Sequence, residues 1–343
     1  MKAVVFHEHG GSEKLKYEDR PDPQIKPDEV LVRVKACALN HLDIWIRQGI
    51  PAYQIPLPHI SGCDIAGQIE RVGSQVKGVK VGQKVFVFPG LNCGTCDECK
   101  AGHDNLCPSF GVLGAKTDGG YAEFVAVPGR NVIAIPGSLT FEQAAAFPLV
   151  SVTAWHMVVT LAGLKSGETA LIMGAGSGVG SMAIQIAKYI GAKVITTVGS
   201  EDKVKKALVI GADEVINHAT DDVVKRVQEL TGGQGVDVVI EHIGPQVWDQ
   251  CLKSLVKGGR LVTCGATTGG EVKLDLRYLF SRQLTVKGSY MGTKAELLEA
   301  AKLVGAGKLK PVIDHVYPLQ DARAAQEQMM SRKLFGKLVL AVS

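Results

Sequence analysis

Net charge is nearly missing from this chain. Its 38 Lys and Arg stand against 34 Asp and Glu, a formal +4 diluted over 343 residues. So even a balance, with both signs scattered, excludes the basic patches of a nucleic-acid or membrane-surface binder. An unbroken apolar run is missing too. The most apolar stretch, 147–164, carries Pro148, Ser151, Thr153, His156 and Thr160, whereas a spanning helix needs about 20 residues with few such breaks. Residues 1–6 are too short an apolar run for a leader before His7, Glu8 and His9 interrupt it. Repeats and low-complexity segments are also absent. The expectation is a soluble, cytoplasmic protein that meets neither nucleic acid nor membrane.

What is present is ample apolar side chain. Hydrophobic residues make up 46% of the chain, enough to offset the entropy of ordering. The length exceeds one comfortable core and suits two domains. Forty glycines fall between short Val- and Ile-rich runs, the signature of tight connections between buried strands. The first half reads as β structure. Segments 29–35 and 81–87 nearly alternate, and 65–72 and 121–127 are bounded by Gly, Pro or Asn. Six of the fourteen prolines lie between positions 21 and 58, which leaves only 39–48 there for a short helix.

Past residue 150 the rhythm becomes strand, helix, strand. Strands are expected at 169–173, 193–198, 214–217, 236–240, 260–264 and 284–289, with helices at 179–190, 202–210, 221–230 and 246–256. Such alternation implies right-handed crossovers and a parallel sheet covered on both faces. A helix at 295–303 and a strand at 334–342 return the tail to the first domain. The expected division is 1–150 with 291–343 as a β-rich domain, carrying a lobe at 90–110, and 151–290 as a nucleotide-binding domain.

Two motifs carry chemistry. Cys93, Cys96, Cys99 and Cys107 are four of the eight cysteines, packed into fifteen residues. Reduced thiols so dense point to a metal rather than to disulfides. Four thiolates hold one zinc tetrahedrally with no open position, so that zinc is structural. Cys-x2-Cys-x2-Cys with a distant Cys-Pro also resembles iron–sulfur ligation, but seven residues rather than three before Cys107 favour zinc. The second motif, Gly174-Ala175-Gly176-Ser177-Gly178-Val179-Gly180, joins a strand to an amphipathic helix. Glycines there let a backbone approach a pyrophosphate and leave helix N–H groups to receive it. Neither register gives a strict Gly-x-Gly-x-x-Gly; the βα context carries the dinucleotide reading. Beyond the second strand, Val198 stands where an acid would bind ribose hydroxyls. Ser200 and Lys203 lie within reach of a 2′-phosphate, so NADP(H) is expected over NAD(H).

With Gly62-Cys63-Asp64-Ile65-Ala66-Gly67, Val81-Gly82-Gln83-Lys84-Val85 and Gly120-Tyr121-Ala122-Glu123-Phe124, these motifs make the chain similar to medium-chain dehydrogenases/reductases along essentially its whole length. It resembles both zinc-type alcohol dehydrogenases and quinone oxidoreductases. That resemblance implies an α/β protein with a GroES-like β-rich catalytic domain, a doubly wound parallel Rossmann sheet, and hydride transfer to or from a nicotinamide. It implies a homodimer or homotetramer, and it assigns Thr153 and Gly265 to the cofactor beside the glycine loop.

The departures are informative. Alcohol dehydrogenases of this kind hold a catalytic zinc by a Cys, a His in Gly-His-Glu, and a later Cys or Asp. Ungapped, those places are Asn40, Cys63 and Leu149, with Asp64 after the second ligand and Leu42 where a relay hydroxyl would stand. Asn40-His41-Leu42-Asp43 instead resembles the Asn-Pro-x-Asp of the metal-free quinone oxidoreductases, which makes Asn40, His41 and Asp43 the catalytic candidates. Asn40 and His41 would orient the nicotinamide or donate to the substrate oxygen. The expected reaction is reduction of a carbonyl, enone or quinone by NADPH without catalytic zinc. One alternative is an alcohol dehydrogenase with a zinc rearranged onto His41, Cys63 and Asp64; another is a catalytically weak NADPH-binding regulator. Cys251, Cys264, His156 and His242 read as packing. The loops around Tyr53 and Tyr290 carry no pattern that names a substrate.

Overall fold

The computed structural model describes residues 1–50 and 54–343, so Tyr53 lies outside the described residues. The chain divides into two compact units, one of Met1–Leu149, Thr293–Gly307 and Pro311–Ser343, the other of Val150–Gly292 and Lys308–Lys310.

The first unit begins with β1 (Lys2–Val5), β2 (Lys16–Asp19), β3 (Glu29–Ala38), β4 (Asp64–Val72), β5 (Lys84–Val87), β6 (Gly90–Leu91), β7 (Gly111–Val112), β8 (Phe124–Pro128) and β9 (Val132–Ala134). The second unit supplies β10 (Thr169–Ile172), β11 (Lys193–Val198), β12 (Glu214–Asn217), β13 (Val236–Glu241), β14 (Leu255–Thr263) and β15 (Thr285–Gly288). The tail then adds β16 (Ile313–Pro318) and β17 (Lys337–Ala341) to the first unit.

In the first unit one sheet runs β16-β17-β3-β4-β5-β9, with β8 also paired to β3. Alternation makes β3 its spine: Val30, Val32 and Val34 are fully buried while Arg33 and Lys35 lean outward. The tail strand joins this sheet antiparallel to β3, Val339 opposite Ala38. That pairing sets Lys337, at the start of β17, near the end of β3. The expected strand 81–87 begins only at Lys84, because Gly82 takes φ 80° and turns the chain, leaving Val81 exposed. Strands β1, β2, β6, β7, β9 and β16 have no counterpart in the sequence reading.

The second unit is a six-stranded sheet ordered β12-β11-β10-β13-β14-β15, every neighbouring pair parallel. Taken by order of occurrence this is 3-2-1-4-5-6, the doubly wound Rossmann arrangement, whose crevice opens where the order reverses, between β10 and β13. Leu171, Ile195, Val239 and Leu261 are solvent-free in its core. Their strands read as continuous apolar runs because helices cover both faces. The helix Gly178–Ile190 ends where Gly191 takes φ 94°, a left-handed cap. The helix expected to 256 stops at Lys253, since Leu255 already pairs with Val236 as the first residue of β14.

Of the breaks in the most apolar segment, Pro148 starts a new helix after a bend at 146–147, and Ser151, Thr153, His156 and Thr160 are accommodated within helical turns. Phe141–Leu161 runs as consecutive helical pieces, Phe141–Ala145, Pro148–Trp155 and a π-helical turn His156–Leu161, with a window of mean hydropathy 1.6, long and apolar enough to cross a membrane by length and composition. That window is 67% buried inside the protein, so its apolar surface is already covered.

Candidate functional site

Three loops at the ends of β10, β13 and β14 build the nucleotide crevice. Gly174 turns the chain out of β10 with φ 68°, and its N–H donates to Thr197 Oγ1 at 2.9 Å. Ser177 caps the following helix, accepting from Gly180 N–H at 2.8 Å. A Cβ on Gly180 would sit 2.2 Å from the Gly174 carbonyl oxygen. The tight closure therefore joins glycines six apart, which is why neither strict register matched. Gly178 and Val179, the first helical residues, have N–H groups with no intrahelical partner, and Gly176 precedes them in the same loop. On the other side, His242 Nε2 lies 3.0 Å from Ser177 Oγ and 3.0 Å from the Met173 carbonyl. Gly265, after β14, packs so closely that a Cβ would meet the His242 carbonyl at 2.5 Å.

The end of β11 closes the crevice's far side. Val198 is buried. Lys203 N–H donates to the Ser200 carbonyl at 3.2 Å. The Ser200 hydroxyl bonds Asp202 and is the main reason that carboxyl sits below its ordinary range. Gly199 faces His218, whose Nε2 would be 3.2 Å from a Cβ there. Thr153 is buried in the helix Pro148–Trp155. Gly180 and Gly265 pack too closely for a Cβ, and with the unpartnered first-turn N–H groups they leave a cradle of bare backbone. It fits a nicotinamide dinucleotide, held by the glycine loop.

The lobe between β6 and β7 gathers four sulfurs. Cys93, Cys96, Cys99 and Cys107 have Sγ atoms within 4.8 Å of one another, the one such cluster of His, Cys, Asp or Glu among the described residues. Cys93 lies 3.9 Å from Cys99 and 3.6 Å from Cys107, sulfur to sulfur. A tetrahedron of Zn–S bonds of about 2.3 Å has edges of about 3.8 Å, so one ion fits and an iron–sulfur cluster does not. The Thr95 and Cys96 N–H groups point at Cys93 Sγ from 3.4 and 3.3 Å. These backbone donors, Thr95 first, hold that thiol down at about 5, the thiolate form a metal needs.

The catalytic candidates lie where β3 passes into the helix His41–Gln48. Asn40 is the N-cap, and its N–H donates to Asp43 Oδ2 at 2.8 Å, closing a capping box. Asp43 is buried, and Tyr121 donates to the same oxygen at 3.0 Å. Burial pushes the Asp43 carboxyl up to about 6 despite these two donors. His41, one residue past the cap, is exposed, its ring 6.1 Å from that of Trp45.

The Asn40 side chain is engaged at both ends. Nδ2 donates to Asp64 Oδ2 at 2.9 Å and to Cys63 Sγ at 3.4 Å. Oδ1 accepts from Lys337 Nζ at 2.5 Å, and Lys337 also pairs with Asp64 Oδ2 at 3.0 Å. The other Asp64 oxygen takes the Leu149 N–H at 2.8 Å. Lys337 and Asp64 keep 5% and 0% of their side-chain exposure. Sequence reasoning missed Lys337 entirely; it lies 297 residues from Asn40.

This donor set does not fit a catalytic zinc. An amide, an aliphatic side chain and a thiol that burial keeps protonated stand at the expected places, and an ammonium already supplies the cation. Nor does the rearranged grouping form a ready site: Asp64 already accepts from Asn40, Lys337 and Leu149, Cys63 is buried and His41 is exposed.

Comparison with known proteins agrees with both units. The alcohol dehydrogenase GroES-like domain family matches residues 26–137 and the zinc-binding dehydrogenase family residues 178–306. A solved structure of an NAD-dependent alcohol dehydrogenase superposes with a TM-score of 0.96 at 45% identity, covering 100% of both chains. The quinone oxidoreductase of Sus scrofa is 33% identical over 99% of this chain and 97% of its own. The acryloyl-coenzyme A reductase of Sulfurisphaera tokodaii is 31% identical over 99% of each. With a GroES-like β unit, a Rossmann sheet and a glycine loop that fits a dinucleotide, the chain belongs to the medium-chain dehydrogenase/reductase superfamily of NAD(P)-dependent oxidoreductases.

Proposed function

We propose that this enzyme reduces a conjugated carbonyl, an enone or a quinone, with NADPH and without a catalytic metal, and that its cysteine lobe holds one structural zinc. The observation that carries this reading is the buried Lys337 ammonium between Asn40 and Asp64, at the place where the alcohol dehydrogenases it resembles keep zinc ligands. When bound, the nicotinamide supplies a hydride. Hydride addition to a conjugated acceptor leaves negative charge on an oxygen that hydrogen-bond donors can stabilise. An alcohol, by contrast, gains most from a Lewis acid that lowers its pKa.

Roles divide among the three candidates by burial and position. Asn40 spends both ends of its amide on Lys337, Asp64 and Cys63, and Asp43 holds the cap beneath it. These two are framework. His41 is exposed at the first turn and is the one assigned to meet substrate. In the second unit the glycine loop and Gly265 shape the dinucleotide seat, with Thr153 on its neighbouring helix. Preference for NADPH rests on buried Val198 in place of an acid, with Lys203 and His218 near the end of β11; a 2′-phosphate would take the Ser200 hydroxyl from Asp202. A lobe of four reduced cysteines also favours a cytoplasmic setting.

The test is oxidation of NADPH and NADH against a panel of quinones, enones, enoyl thioesters and aldehydes. Turnover with conjugated acceptors and NADPH is expected. Metal-dependent oxidation of simple alcohols with no conjugated reduction contradicts the reading, and tight NADPH binding without turnover would make the protein a regulator. Val198→Asp should shift preference toward NADH by about 10- to 100-fold, the value of one charged hydrogen bond gained or lost. Equal affinity of the wild type for both cofactors refutes the preference.

A further inference from the structure

We propose that His242 is a positioning residue for the cofactor: its Nε2–H fills the last acceptor site on Ser177, so that the Ser177 hydroxyl is left to donate to the dinucleotide's pyrophosphate. The inference rests on the dinucleotide reading of the crevice and adds to it a residue that the sequence reading took as packing.

The argument is one of hydrogen-bond inventory. His242 Nε2 lies 3.0 Å from the Met173 carbonyl oxygen. A carbonyl only accepts, so Nε2 must carry the proton. The same nitrogen lies 3.0 Å from Ser177 Oγ, and one N–H shared between two acceptors is an ordinary three-centre bond. Ser177 Oγ also accepts from Gly180 N–H at 2.8 Å. A hydroxyl has two lone pairs and one hydrogen. Both lone pairs are now used by donors within the protein, and the hydrogen is directed away from them. Ser177 is the N-cap of the helix Gly178–Ile190, so that hydrogen joins the free first-turn N–H groups at the anion-attracting end of the helix.

The ring is also held in place. A Cβ on Gly174 would meet His242 Cε1 at 3.3 Å, and Gly265 packs against its carbonyl. Thr267 Oγ1 donates to that carbonyl at 3.2 Å. Burial lowers the imidazole pKa, with Glu241 beside it pulling the other way. The neutral ring with its single N–H is therefore the form present at neutral pH.

The experiment measures NADPH affinity by titration calorimetry on wild type, His242→Phe, His242→Gln and Ser177→Ala, and on the double variant His242→Phe/Ser177→Ala. Phenylalanine keeps the ring and removes the donor; glutamine returns an N–H close to the position of Nε2. His242→Phe should weaken NADPH about tenfold, His242→Gln should restore most of it, and the phenylalanine change should cost nothing further once Ser177 is alanine. Equal affinity of wild type and His242→Phe overturns the proposal, as does a folded His242→Gln no better than His242→Phe. Should His242→Phe fail to fold, the tautomer decides. Nitrogen-15 NMR of histidine-labelled enzyme, with His242→Gln for assignment, should show Nε2–H, and an Nδ1–H tautomer refutes it. A wild type that binds NADH but not NADPH leaves this proposal standing, tested with NADH, and refutes only the cofactor preference. A wild type that binds neither overturns the dinucleotide reading and this one together.

Discussion

Within the first unit two polar clusters answer the same need for positive charge among electron-rich groups in opposite ways. The cysteine lobe collects four soft sulfurs on a loop, three of them only half-buried, and aims backbone N–H groups at Cys93. Its four sulfurs are spaced for an external cation. The Asn40 cluster is sealed, and its cation is Lys337 from the tail strand. A carboxylate and an ammonium buried together need their partners complete, so this second cluster has no vacancy to offer. The difference teaches that one unit can set positive charge among electron-rich groups in two ways, by a cluster of thiols suited to an ion or by a lysine built into the sheet.

Breaking the sealed cluster should have the largest effect. Lys337→Met leaves the Asp64 carboxylate buried without its counter-charge, which costs about 3–5 kcal/mol in comparable buried pairs. Denaturant unfolding of the first unit reads this loss. Pairing it with Asp64→Asn should recover a good part of the stability, and no recovery would mean that the two groups are not coupled.

Breaking the open cluster should cost less and leave chemistry intact. Cys96→Ser removes one of four ligands, and zinc binding is linked to folding of the lobe. We expect zinc loss and a fall in Tm of roughly 5–10 °C, on a scale of about 2–4 °C per kcal/mol, with turnover retained by the folded fraction. Abolished turnover in fully folded, zinc-free protein would contradict a structural role.

Asp43 offers the finest distinction, because it borders the sealed cluster without pairing to its cation. Burial holds its carboxyl at about 6 instead of 3.8, so the folded state binds this proton more tightly than the unfolded state does. Its contribution to stability is full below about pH 4 and is lost as pH rises through 6. Asp43→Asn keeps an acceptor for Asn40 and Tyr121 but has nothing to titrate. The variant should therefore gain on wild type by about 2–3 kcal/mol between pH 4 and 7. A constant difference across that range would show that Asp43 is not perturbed.

Legibility in the sequence followed the range of the interactions. The meeting of the four cysteines was readable because they are local and their spacing brings the sulfurs together. The Rossmann sheet was readable because buried parallel strands are apolar throughout and glycine marks their ends, as at Gly191. Helix 39–48 was expected and His41–Gln48 is found. What failed was long-range. Lys337 meets Asn40 only because β17 pairs with β3, and nothing near Lys337 distinguishes it from a surface lysine. His242 reaches Ser177 across the switch point of the sheet, 65 residues away. For Asn40, read as orienting the nicotinamide or donating to the substrate oxygen, the sequence shows the amide's chemistry and not its bonds to Lys337, Asp64 and Cys63.

The central claim is that the enzyme holds one zinc, in the lobe, and a protein ammonium where its relatives' catalytic metal would stand. Zinc-edge anomalous scattering from crystals grown with zinc, combined with metal content per chain, tests this most directly. The account predicts one zinc per chain, with its anomalous peak among Cys93, Cys96, Cys99 and Cys107 and none beside Asn40. A second peak between Cys63 and His41, with two zincs per chain, would contradict it and return the enzyme to the zinc-dependent alcohol dehydrogenases.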